Sequence, residues 1–217
     1  MKTIIFANGE IEEPKLLDNL IRDRDYLIAA DGGLRHIRDL GLIPDLVVGD
    51  LDSVTDDDIQ WLKNKEVEIR EFPRDKDQTD LEIAIYAALD HGADPLIIAG
   101  ALGGRIDQTL ANIYILLMPE LQDVDARLDD GQEELFLVQH NAIVRGAAGD
   151  IVSLIPLNNM PANGIVAKGL KFRLDNEILF PERSRGISNV MIGDIAEINL
   201  KSGLLLCIHK RLIGGEK

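Results

Sequence analysis

Leu46-Val47-Val48-Gly49-Asp50-Leu51-Asp52-Ser53 is the stretch from which the fold is read. Three apolar residues make a short buried strand. A glycine ends it, and two aspartates follow with one residue between them. If the backbone stays extended, side chains alternate, so Asp50 and Asp52 point to the same side. Two carboxylates a few ångströms apart repel, and they tolerate that placement best with a hard divalent cation between them. The expectation is a metal-binding strand end on which other acidic loops converge.

Working outward, the first half alternates short apolar runs with helix-like stretches. Strands are expected at residues 3–7, 26–30, 46–48, 67–71 and 96–99. Helices are expected at 14–21, 34–40, 55–63, 77–90 and 105–117. Thr55 can cap one helix and places three aspartates in its first turn; Thr79 and Glu82 have capping-box spacing in another. Alternation of this kind predicts an α/β domain with a mostly parallel sheet. Beyond about residue 121 no amphipathic helix is expected. Strand-like runs at 134–138, 142–145, 151–155, 164–167, 195–199 and 204–209 lie between turn signals such as Asp129-Asp130-Gly131 and Asn163-Gly164, the pattern of an antiparallel sandwich or barrel. The expected division is an α/β domain over residues 1–122 and an all-β sandwich domain over 123–217.

Composition narrows the partners. The net charge of −15 is the wrong sign for a non-specific nucleic-acid binder or for an anionic membrane surface. An anionic substrate must therefore meet a local basic patch or arrive with a cation. Cys207 is the only cysteine, so no internal disulfide forms, which fits a reducing compartment. No apolar run reaches the roughly 18 residues needed to span a bilayer, and the one near Met1 is too short for a signal peptide. A soluble, cytoplasmic protein is expected.

Three loops each follow a predicted strand directly: Asp31-Gly32-Gly33, Asp50 to Asp52, and Gly100 to Gly104. In an open parallel sheet those strand ends share one edge, where ligands bind at a topological switch point. Asp50 and Asp52 suit direct Mg²⁺ ligation, because that ion takes carboxylate oxygens and leaves positions for phosphate or water. Arg74-Asp75-Lys76-Asp77-Gln78-Thr79-Asp80 packs charges of both signs into one loop, as a site holding a metal and a polyphosphate together requires. Gly103-Gly104-Arg105-Ile106-Asp107-Gln108 opens a helix, where glycines admit close approach, backbone N–H groups face an anion, and Arg105 can grip a phosphate. Metalloprotease, paired-cysteine zinc, Walker and dinucleotide fingerprints are all absent from the sequence. The four histidines fall in unrelated contexts and read as structural; Trp61 reads as core or interface. The residues alone point to a magnesium-dependent enzyme acting on a phosphate-bearing ligand of the nucleotide kind.

At this point the chain resembles the thiamine pyrophosphokinase family. The likeness rests on Ala30-Asp31-Gly32-Gly33, Pro44-Asp45 continuing through Ser53, Lys76-Asp77-Gln78-Thr79-Asp80, Gly103 through Gln108, Gly169-Leu170-Lys171-Phe172 with Leu174, Asn176 and Glu177, and Ser184-Arg185-Gly186-Ile187-Ser188-Asn189. It implies an N-terminal α/β catalytic domain, a C-terminal β-sandwich, and a homodimer with thiamine where the subunits meet. The implied reaction moves the pyrophosphoryl group of ATP onto the thiamine hydroxyl, giving thiamine diphosphate and AMP. By the same likeness Asp50, Asp52 and Asp80 hold Mg²⁺, with Asp77 and Asp31 close by. Lys76, Gln78, Thr79, Arg105, Asp107 and Gln108 face the nucleotide, and Ser188 and Asn189 face thiamine. Departures from the family pattern, at Arg173, Ile187, Val190 and Met191, fall in the acceptor half. Two rivals compete with this reading: a pyrophosphokinase acting on a hydroxymethylpterin, and a non-catalytic nucleotide- or thiamine-binding dimer.

Overall fold

A computed structural model describes residues 1–212. The chain divides into two compact units, Met1–Gly131 and the part from Gln132 onward. No helix among the described residues is long and apolar enough to cross a membrane.

The first unit is an α/β sheet. Strands β1 (Thr3–Phe6), β2 (Tyr26–Ala30), β3 (Leu46–Gly49), β4 (Glu68–Glu71), β5 (Leu96–Ala99) and β6 (Ala126–Asp129) lie in the order β6-β5-β1-β2-β3-β4. Every pairing among them is parallel. Chain order runs outward from β1 to β4, then returns to the other side of β1 for β5. The switch point therefore lies between the tips of β1 and β5. Alternation buries both faces. Ile4, Phe6, Leu27, Ala29, Val47, Ile97 and Ala99 pack with Leu17, Leu34, Ile37 and Leu62. Ile5, Ile28 and Val48 alternate with them, and helix α3 (Asp80–Asp90) packs on β1, β2 and β3 through its buried residues, among them Leu81, Ala84, Ile85 and Ala88. Full burial of each large aliphatic side chain contributes about 1.5–3 kcal/mol.

The remaining helices of this unit are α1 (Leu34–Asp39), α2 (Asp56–Asn64) and α4 (Ile106–Ile115). Thr55 and Thr79 cap α2 and α3, each closing a reciprocal box with the acidic residue three positions on, Asp58 and Glu82. Because Thr79 is the cap, α3 starts at Asp80, not at 77 as the periodicity predicts, and Asp77 and Gln78 stay in the loop. The stretch from Pro14 folds as a 3-10 turn over Pro14–Asn19 in place of the expected α-helix. Strand β6 is absent from the sequence expectation. Its four residues alternate charged and apolar types within an acidic stretch, and only pairing beside β5 makes them a strand.

The second unit is an antiparallel sandwich. Its strands are β7 (Glu133–Val138), β8 (Asn141–Arg145), β9 (Ile151–Pro156), β10 (Ala162–Lys168), β11 (Leu174–Leu179), β12 (Asn189–Val190), β13 (Ile195–Asn199) and β14 (Leu205–Lys210). One layer orders β12-β9-β14-β7 and the other β11-β10-β13-β8. Inward residues of both layers share a core, including Phe136, Val138, Val152, Leu154, Ile165, Ala167, Leu174, Ile198 and Cys207. Met191 belongs to this core, 1% exposed. One polar group is buried beside the sandwich. His209 sits opposite Glu134 on β7, with Nε2 3.0 Å from Asp150 Oδ2 and Nδ1 3.4 Å from Glu134 Oε2. Arg211 also reaches Glu134, at 3.0 Å, and Leu212 N donates to Asp150 Oδ1. Burial pulls the imidazole down, but hydrogen bonds to Glu134 and Asp150 outweigh it and hold His209 above the ordinary histidine value.

Candidate active site

The parallel register brings the three acidic or glycine-rich loops to one sheet edge. Asp31 directly follows β2, and Asp50 directly follows β3. Asp31, Asp50 and Asp52 each offer a carboxylate oxygen within 4.8 Å of the others. The route to that convergence differs from the one read in the sequence. The backbone does not stay extended: Leu51 has φ +59°, and Asp52 N donates to Asp50 Oδ1 at 3.2 Å. A left-handed residue turns the chain between the two acids, and the partly buried Leu51 side chain packs into the core below. Asp31 is also left-handed, φ +46°, a region that Asp occupies more readily than most residues.

These residues fit a divalent cation. Asp31 is 8% exposed, and its Oδ1 is buried without a hydrogen-bond partner. An unpaired buried carboxylate oxygen is costly, and a hard cation is the partner its chemistry suits. Asp50 is half-buried, and Asp52 is exposed with Arg74 3.4 Å away. Asp80 stands apart from this trio: its Oδ1 lies 2.9 Å from Lys76 Nζ. The lysine therefore neutralises one wall of the site instead of standing free.

Beside the trio, at the switch point, a cleft of about 300 Å³ opens, lined in part by Asn8, Asp31, Thr79, Asp80, Gly103 and Gln108. Gly103 and Gly104 are both left-handed, φ +78° and +67°, which lets the β5 loop turn sharply into α4. Asn112 on α4 ties back to Ala101 O at 2.8 Å. Arg105 and Asp107 are exposed and pair with each other through bonds of 3.1 and 2.6 Å. The hydrogen bond from Arg105 is the main cause that holds the Asp107 carboxyl below the usual carboxylate range, against the opposing effect of burial. Thus Asp31, Thr79, Asp80 and Gln108 reach the cleft wall. Lys76 acts through Asp80, while Asp77 and Gln78 lie exposed in the loop before α3.

In the sandwich, Ser188 is exposed at φ +56°, and its backbone N–H bonds Ser153 Oγ. Asn189 is buried, and its amide is already occupied: Oδ1 accepts from Phe172 N at 2.9 Å and Nδ2 donates to Phe172 O at 2.6 Å. It clamps the backbone of Phe172, a residue that is 51% exposed. Sequence reasoning missed Asn8 and Gly9, which follow β1 and line the cleft. The signal was present: the ends of β2 and β5 at this edge run into glycine loops that point to a site, and Asn8-Gly9 after β1 is another such loop.

A parallel α/β sheet followed by an antiparallel sandwich is the two-part fold that this chain shares with thiamine pyrophosphokinase crystal structures. The chain matches that of Bacillus subtilis with a TM-score of 0.86 at 24% identity, over 98% of this chain and 100% of that one. It matches the yeast enzyme at 0.77 and 19%, over 96% and 86%. In sequence, the Bacillus subtilis (strain 168) thiamine pyrophosphokinase is 28% identical over 212 residues, covering 96% of this chain and 99% of the relative. Thiamine pyrophosphokinase 1 of rice (Oryza sativa subsp. japonica) is 26% identical, covering 88% and 82%. The family model "Thiamin pyrophosphokinase, catalytic domain" matches residues 17–128, and "Thiamin pyrophosphokinase, vitamin B1 binding domain" matches 140–205. The chain belongs to the thiamin pyrophosphokinase family and is an enzyme of that type.

Proposed function

We propose that the chain transfers the pyrophosphoryl group of ATP to the hydroxyl of thiamine, giving thiamine diphosphate and AMP. The observation that carries this reading is the trio Asp31, Asp50 and Asp52 with its partnerless buried oxygen, beside a cleft that ends on α4. The acceptor oxygen attacks the β-phosphorus, the bond from that phosphorus to the α,β-bridging oxygen breaks, and AMP leaves with that oxygen. An aspartate of this edge takes the hydroxyl proton. Asp31, Asp50 and Asp52 would hold Mg²⁺, with Asp80 on the cleft wall; bound there, the ion would neutralise phosphate charge and fix the phosphoryl geometry.

The residues divide the remaining work. Thr79 and Gln108 present hydrogen-bonding groups to the nucleotide, and the Lys76–Asp80 pair sets the charge of the α3 wall. Arg105 is within one turn of the cleft and would exchange Asp107 for a phosphate. Ser188 would contact thiamine. Asn189, its amide tied to Phe172, would act on thiamine by holding that exposed residue. We propose a cytoplasmic homodimer in which a second copy completes the acceptor side.

The test is incubation of the full chain with Mg-ATP and either thiamine or hydroxymethyl-dihydropterin, resolving AMP from ADP. AMP with thiamine supports the reading. ADP overturns the mechanism, and turnover of the pterin alone overturns the acceptor. Asp50→Asn and Asp52→Asn each abolish AMP formation while the circular dichroism spectrum is retained. Undiminished activity in both variants would sink the metal assignment.

A further inference from the structure

The cleft floor is two interlocked turns, one after β1 and one after β5. Gly9 N donates to Gly100 O at 2.7 Å. A Cβ on Gly9 would lie 2.3 Å from Gly100 O, and one on Gly100, at φ +66°, would lie 2.6 Å from Ala7 O. The floor is therefore bare backbone, and where its carbonyl oxygens point decides whether an anion is welcome. Two consecutive residues of α1 settle that. Arg35 Nη1 donates to Asn8 Oδ1 at 2.6 Å, and Nη2 donates to Asn8 O and Gly9 O, each at 2.9 Å. His36 Nε2 lies 2.8 Å from Gly9 O. A carbonyl only accepts, so the ring's proton sits on Nε2. Burial, the largest influence on this ring, keeps it below the ordinary histidine value, hence neutral near pH 7. Three contacts from one helical turn thus hold both carbonyls of the β1 turn toward α1, and a fourth holds the Asn8 side chain. That amide lies so close over Gly32 that a Cβ there would come within 2.4 Å of Asn8 Oδ1.

We infer that Arg35 and His36 are positioning residues for the phosphates of the nucleotide: they turn the Asn8 and Gly9 carbonyl oxygens away from the cleft and lock the Asn8 amide at its rim. The inference rests on the nucleotide reading proposed above. The guanidinium suits the task because its planar fork serves three acceptors at once, whereas an ammonium on a flexible stem is a point charge. Geometry, not net charge, is what it supplies. With the guanidinium gone, the turn is free to present a carbonyl dipole to the polyphosphate.

The experiment measures Mg-ATP binding by calorimetry, and the KM for Mg-ATP and for thiamine, on the full chain carrying Arg35→Ala or Arg35→Lys. Losing charge-assisted hydrogen bonds weakens Mg-ATP binding about tenfold or more in both variants. The thiamine KM and kcat stay within about twofold, since the acceptor contacts are elsewhere. Arg35→Lys behaving as the parent overturns the inference, because charge alone would then suffice. An unchanged Mg-ATP constant in Arg35→Ala overturns it too, as does an equal rise for both substrates. If Arg35→Ala fails to fold, Arg35→Lys decides. A parent protein that binds no Mg-ATP refutes the nucleotide reading itself, a result distinct from any of these.

Discussion

Replacing Asp31 by Asn tests the acidic trio through stability, with no turnover needed. The substitution keeps the shape of the side chain, and Asn tolerates the left-handed backbone found there. It removes two of the three pairwise repulsions among carboxylate oxygens that lie within 4.8 Å. At that separation each like-charge pair is worth about 0.9 kcal/mol in a water-like dielectric and about 3.5 kcal/mol at an effective constant near 20. Asp52 is exposed, so the lower figure governs its share, and the separations are shorter than a screening length of about 8–10 Å at ordinary salt. We expect the metal-free variant to be more stable than the parent by about 2–4 kcal/mol, a rise in melting temperature of about 4–16 °C for a chain of this size. The cation response runs the other way. Mg²⁺ at a hundred times its dissociation constant adds about 2.7 kcal/mol to a protein that binds it only when folded, and the variant should gain little. Thermal melts in EDTA and across a Mg²⁺ titration read both effects. A variant less stable than the parent in EDTA, or one that keeps the full Mg²⁺ gain, refutes the reasoning.

Two further outcomes follow from the capping and buried polar groups. Thr79→Ala and Thr55→Ala each remove a side-chain oxygen that accepts from the helix, and each should lower stability by about 1 kcal/mol, read as a shift in the urea midpoint; two unchanged midpoints contradict the capping geometry. His209 has a folded-state value above its unfolded one, so its contribution is complete below about pH 6.5 and is lost as pH rises through the higher folded value. Asp150 works oppositely. Burial pushes its carboxyl up, but the Leu212 and Ala147 N–H groups and His209 outweigh this and hold it low, so its contribution is present above about pH 3.9 and is lost on acidification. Urea midpoints between pH 6 and 9 should fall for the parent and flatten for His209→Asn; a parent with no slope there overturns the sign.

Most of the α/β unit was legible because buried parallel strands write continuous apolar runs and their helices carry explicit stop and start residues. The acidic edge was legible for the same reason: a polar loop immediately after an apolar run has few other places to go. What escaped was decided by tertiary pairing. Strand β11 runs Leu-Asp-Asn-Glu-Ile-Leu and pairs with β10 through register shifts, with Asn176 left-handed, so no alternation survives to be read. Strand β12 is two residues long. The left-handed turn at Leu51 is invisible in sequence, since Leu carries no preference for it; the packing of its side chain selects it. Asn189 shows something the sequence does not carry: its amide is bonded to the backbone of Phe172, a partner 17 residues away.

The acidic trio is assembled from the tips of two adjacent strands in one fixed alignment, Ala30 beside Val48. A slip of one residue between β2 and β3 would carry one tip about 3.3 Å past the other and turn alternate side chains to the opposite face. The carboxylates would then no longer share a centre. On the Mg²⁺ reading proposed above, cation affinity would be a gauge of strand alignment: any misfolded or partially refolded population that retains a sheet but not this pairing would be silent to Mg²⁺. A metal titration would count correctly threaded molecules where circular dichroism counts all of them.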